Sequence, residues 1–85
     1  QALQWARKMV EGGIFEAGTI EEKVREMILS TNGASIDYVS VVDAEELSPV
    51  KIIRDRALLA LAVRLGKARL IDNIILEAGN RQSNG

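Results

Sequence analysis

The densest run of chemistry-bearing side chains is Arg64-Leu65-Gly66-Lys67-Ala68-Arg69, three cations with no acid before Asp72. Gly66-Lys67 has the Gly-X form of a two-residue type II′ turn, and a hairpin closed there sets Arg64 opposite Arg69. Like charges opposed on one sheet face repel, so something negative is expected beside them. Two sources are open. One is a phosphate or acidic surface at the rim of a cleft; the other is an internal carboxylate such as Asp37 or Asp43, or simple solvation. The Gly-Lys pair lacks the strand-to-helix setting of a phosphate loop and is not a nucleotide fingerprint.

The remaining candidates are weaker. The chain has no histidine and no cysteine, which removes the commonest acid-base residue near neutral pH and every thiolate metal site. Asp72 falls on an otherwise apolar strand face, as a desolvated acid with a raised pKa or as a carboxylate held by backbone donors or an arginine. Asn73 points to the opposite face and reads as structural. The acids at Glu21-Glu22 suit a solvated helix start, and Asp43 to Glu46 lack the alternating ligand pattern of a calcium loop. Trp5, Phe15 and Tyr38 are too scattered for a stacking platform and read as core or interface anchors. No residue is assigned to catalysis, cofactor binding or metal binding.

Positioning these groups requires two helices followed by strands. Leu3, Ala6 and Val10, with Ala2, Trp5 and Met9 beside them, predict a first amphipathic helix that Gly12-Gly13 stops. Thr19 and Glu22 have capping-box spacing ahead of a stripe of Ile20, Val24, Met27 and Ile28, with Asn32-Gly33 offered as a left-handed C-cap. The intervening Gly12 to Gly18 reads as a loop whose Ile14 and Phe15 need a packing partner, in this unit or a neighbouring one. From Ile36 to Asp43 the residues are mostly β-branched or aromatic, which predicts a strand. Ala44 to Leu47 suit one helical turn, and Ile52-Ile53 a loop or short edge segment.

Two apolar runs, Ala57 to Leu65 and Ala68 to Leu76, then form the hairpin. Its core face carries Leu59, Leu61, Val63, Leu65, Leu70, Ile74 and Leu76, which the two helix stripes would cover. The expected fold is α+β, two N-terminal helices packed on a small three-stranded antiparallel sheet. The other face, with Leu58, Ala60, Ala62, Ile71 and Ile75, is too apolar for open solvent, so loops or a second domain should shield it. The expected boundaries are a domain over 1–76 and a flexible tail over 77–85.

With 85 residues and 47% apolar side chains, the chain fits one small domain of marginal stability. Eleven basic and twelve acidic residues are interleaved, giving a net charge of -1 and no broad basic surface for nucleic acid. The run Ala57 to Val63 is too short to span a bilayer, and no leader opens the chain, so no membrane partner and a cytoplasmic location are expected. Gln1 in place of Met suggests processing or a start within a longer protein.

Two stretches go further. Ile36-Asp37-Tyr38-Val39, running on through Val41-Val42-Asp43-Ala44-Glu45 to Leu47 and Pro49-Val50, and Val63-Arg64-Leu65-Gly66-Lys67, running on through Arg69-Leu70-Ile71-Asp72-Asn73-Ile74, together resemble the C-terminal region of pantothenate synthetases (pantoate:β-alanine ligases). The match covers Ile36 to Leu76 closely and the helices more loosely. The resemblance implies an enzyme of pantothenate biosynthesis, on the coenzyme A pathway. It adenylates pantoate with ATP and magnesium, releases pyrophosphate, and passes the acyl group to β-alanine. The family's chemistry belongs to an upstream nucleotide-binding domain, whose histidine-containing motif and Lys/Ser/Arg-type segment are absent from this chain. What carries over is the role of a hinged lid, inactive alone, with the upstream domain as its partner and no cofactor bound by the fragment. The alternative is a free-standing α+β interaction module that uses Arg64, Lys67 and Arg69.

Overall fold

The computed structural model describes residues 2–78, which form α1 (Ala2–Glu11), α2 (Ala17–Leu29), β1 (Ala34–Asp43), β2 (Arg56–Leu65) and β3 (Ala68–Glu77). The three strands make an antiparallel meander in the order β1-β2-β3. Two helices on a three-stranded antiparallel sheet is the α+β architecture expected from the periodicity. The β2-β3 register is also the expected one: Leu65 faces Ala68, Arg64 faces Arg69, Val63 faces Leu70, Leu61 faces Asp72 and Leu59 faces Ile74. Gly66 takes φ 63°, while Lys67 keeps a negative φ, which is the type II′ requirement.

One sheet face receives the helices. Ala6, Met9 and Val10 of α1 and Ala17, Ile20 and Val24 of α2 are buried with Val39, Val41, Ala57, Leu59, Leu61, Val63 and Leu76. Full burial of one leucine or isoleucine contributes about 1.5–3 kcal/mol, so these side chains supply most of what a domain this small can gather. The helix cover stops short of the hairpin end. Leu65 is 39% exposed and Leu70 54%, so these two members of the expected core face lie beyond it. On the opposite face Ala62 is fully buried between its cross-strand neighbours Tyr38 and Ile71, yet Ile71 itself is 60% exposed.

Two local expectations are corrected. α2 begins at Ala17 rather than at a Thr19 cap; its N-cap is Glu16, which makes no side-chain cap bond. The chain between β1 and β2 supplies the cap instead. Lys51 O accepts the Ala17 N–H at 2.9 Å, and Phe15 O accepts the Ile53 N–H at 2.8 Å. This backbone pairing draws Gly18 and Thr19 into the helix, buries Ile53, and leaves Phe15 packed against the core. At the other end α2 stops at Leu29 with Ser30 as a right-handed C-cap. Gly33, at φ 86°, serves the following turn, which the Ala34 N–H closes onto Thr31 O at 3.2 Å.

The expected helical turn after β1 exists as an isolated turn, closed by the Leu47 N–H on Asp43 O at 2.9 Å. Glu77 belongs to β3, and Ala78 is buried with its N–H donated to Asp55 O at 2.7 Å. Gln1 and residues 79–85 of the expected tail lie outside the described residues. Among the described residues no helix is long and apolar enough to cross a membrane.

Candidate functional site

At the hairpin end the cations meet one carboxylate. β1 shifts register between Ile36, opposite Val63, and Tyr38, opposite Ala62, so Asp37 is the extra residue of a β-bulge. A regular strand would set Ile36 and Tyr38 on one face and turn Asp37 away from them. The bulge instead keeps Ile36 on the helix side and delivers Asp37 to the face that carries Arg64 and Arg69. Arg69 Nε donates to Asp37 Oδ2 at 2.7 Å, and Arg64 Nε donates to Asp37 Oδ1 at 3.3 Å.

The internal carboxylate anticipated for this pair is therefore Asp37. Asp43 is occupied elsewhere: its Oδ2 accepts the N–H groups of Glu45 at 2.9 Å and Glu46 at 2.7 Å. The hydrogen bond from Arg69 holds the Asp37 carboxyl below its ordinary pKa, against some loss of hydration, with the Arg64 charge adding to the effect. An ionised carboxylate between two guanidinium groups is a poor proton donor or acceptor near neutral pH, so this cluster fixes charge and shape. Lys67, in the turn, has no ion-pair partner among the described residues.

Asp72 is exposed, which overturns the desolvated-acid alternative. Its Oδ1 accepts the Asn73 N–H at 2.8 Å. Asp72 edges a groove of about 320 Å³ on the helix side of the hairpin end, walled by Leu3, Ile28, Val63, Leu65 and Leu70. Trp5 and Tyr38 remain more than a third exposed.

One structural pair escaped the sequence. Glu21 is half-buried, and its Oε2 accepts the Val41 N–H at 2.8 Å, while Arg25 Nη2 donates to Val39 O at 3.2 Å. One turn of α2 thus occupies the outward donor and acceptor of the edge strand β1, where the sequence suggested only a solvated helix start. The signal available was an acid four residues before a base on the exposed flank of the Ile20 and Val24 stripe. Among the described residues no three carboxylates converge as metal ligands.

Comparisons with known proteins extend the picture beyond geometry. The family model for pantoate-beta-alanine ligase matches residues 1–75. The pantothenate synthetase of Heliobacterium modesticaldum is 43% identical over 77 residues, covering 91% of this chain and 27% of that protein. That of Geobacillus thermodenitrificans is 46% identical over 77 residues with the same coverage. A crystal structure of the Thermus thermophilus pantothenate synthetase superposes with a TM-score of 0.76 at 27% identity, covering 86% of this chain and 26% of that one. The chain thus spans about a quarter of the length of the relatives it matches. With the family model matching residues 1–75 and the fold in agreement, the chain belongs to the pantoate-beta-alanine ligase family.

Proposed function

We propose that this chain is the C-terminal lid domain of a cytoplasmic ligase that condenses pantoate with β-alanine through a pantoyl adenylate, giving pantothenate, AMP and pyrophosphate. The observation that carries the reading is the family match over residues 1–75 of a chain that spans about a quarter of its relatives' length. The chemistry then belongs to the remainder of the parent protein. The sequence has no histidine, and among the described residues no three carboxylates converge as metal ligands, so no step of the magnesium-nucleotide chemistry is assigned to these side chains.

A lid contributes by exclusion and orientation. An acyl adenylate hydrolyses in open water, and a closing domain removes that water while holding the amine nucleophile in line. The second sheet face, with Tyr38 and Ile71 exposed, offers apolar area for such closure. The test is release of AMP dependent on both ATP and pantoate. The parent protein should show it and the 85-residue chain should not; turnover by the chain alone would overturn the assignment.

A further inference from the structure

The two edges of the sheet are finished differently. On β1 the side chains of Glu21 and Arg25 occupy the outward Val41 N–H and Val39 O. On β3, among the described residues, no helix or loop backbone pairs with the outer edge between Arg69 and Ile75. The pair that flanks a two-residue turn is hydrogen-bonded, here Leu65 with Ala68, so the odd-numbered residues of β3 turn their N–H and C=O away from β2. Asn73 agrees: its N–H is taken by the Asp72 carboxylate at 2.8 Å, which a donor committed to β2 would not do. Farther along, a recess of about 340 Å³ between α1 and the strand leaves Ile75 approachable. Such an edge is a template for another strand.

The outward residues are self-complementary. In order they are Arg69, Ile71, Asn73, Ile75 and Glu77: cation, apolar, amide, apolar, anion. A second β3 laid antiparallel about Asn73 brings Arg69 against Glu77, Ile71 against Ile75 and Asn73 against Asn73. Shifts of two residues, the smallest that keep outward groups facing each other, lose this match. One sets Asp72 directly opposite Asp72 of the second copy and Arg69 opposite Ile75; the other sets Ile71 opposite Glu77. In the Asn73-centred register the neighbouring strands match as well. Glu77 already pairs with Arg56 at 3.4 Å and Arg69 with Asp37 at 2.7 Å. The row joined across two copies therefore alternates in sign, Arg56 and Glu77 followed by Arg69 and Asp37 of the second copy. Ile71, 60% exposed in one copy, gains an apolar neighbour.

We infer that β3 is a docking edge for a second copy of this chain, paired antiparallel about Asn73 into a six-stranded sheet, with Asp72 as the residue that weakens the pairing. The Asp72 carboxylate holds the very N–H that the joined sheet needs, and the two carboxylates lie diagonally near each other across the junction. The inference is independent of the ligase reading, since every residue involved lies in this chain.

The chain has no cysteine, so single substitutions report the register. Chains carrying Ile71→Cys and Ile75→Cys are oxidised with copper phenanthroline separately and as an equal mixture. Positions 71 and 75 face each other across the junction, whereas two copies of position 71 are offset by about 13 Å. The mixture should therefore form disulfide-linked heterodimer about tenfold faster than either variant alone forms homodimer. Equal rates in all three samples overturn the inference. If either variant fails to fold, Asn73→Cys reads the two-fold directly and should link about tenfold faster than Ser40→Cys, which lies in the same row on β1; equal linkage there overturns the inference too. Sedimentation velocity of the unsubstituted chain up to about 1 mM should show a reversible dimer. Asp72→Ala should strengthen association at least about fivefold, and Ile71→Lys should abolish it. A chain that stays monomeric over this range, or a dimer indifferent to Ile71→Lys, overturns the docking edge; a dimer indifferent to Asp72→Ala overturns the role given to that carboxylate.

Discussion

Asp37 lets two arginines face each other across a hairpin, and its removal tests whether that neutralisation matters. In Asp37→Asn the amide keeps the shape but not the charge, so Arg64 and Arg69 repel. The variant should be less stable than the parent sequence at neutral pH, and Arg64→Gln added to it should recover part of the loss. The folded state lowers the Asp37 pKa. Its contribution is therefore complete above the unfolded value of about 3.9 and disappears as pH falls through the lower folded value. Urea midpoints of the two proteins should separate at pH 7 and converge below about pH 4; a gap independent of pH would assign the loss to geometry rather than charge. Leu47 is a different case. At φ 60° and 61% exposed, it takes a left-handed conformation with little burial to offset it. Relief of about 1–2 kcal/mol of steric cost outweighs glycine's entropic penalty, so Leu47→Gly should stabilise the chain by about 0.5–1 kcal/mol in urea unfolding.

At the level of elements, Glu21 and Arg25 of α2 tie that helix to the edge of β1. Glu21→Ala leaves the Val41 N–H without its charged acceptor and should cost about 1.5–3 kcal/mol, whereas exposed Glu22→Ala should stay within about 0.5 kcal/mol. Equal urea midpoints for the two variants would remove the edge clamp from the account. Neither the strand partners of the clamp nor the α2 start was legible in the sequence, and for one reason. Both depend on groups far apart along the chain: Glu21 with Val41, and Ala17 with Lys51. A capping box written in Thr19 and Glu22 lost to a backbone carbonyl already in place. The hairpin was legible because its determinants are local, a Gly-X pair flanked by alternating leucines that admits one register without turning the core outward. The bulge at Asp37 lay between these extremes. The run Ile36-Asp37-Tyr38-Val39 breaks period two, but only the partner strand shows which residue is extra. The three cations were visible from the start; the carboxylate that joins two of them required that register shift.

Across the whole molecule the sheet is covered unevenly, and two leucines measure the difference. Leu59 is fully buried at the centre of the sheet, between Val41 and Ile74 on the flanking strands, whereas Leu70 is 54% exposed at the groove. Leu59→Ala should cost about 2–5 kcal/mol, a large share of the roughly 4–13 kcal/mol available to a domain of this length. Leu70→Ala in the same chain should cost under about 1 kcal/mol, because much of its side chain already meets water. Urea unfolding at constant m-value checks both, and equal losses would mean that the core does not lie under the helices.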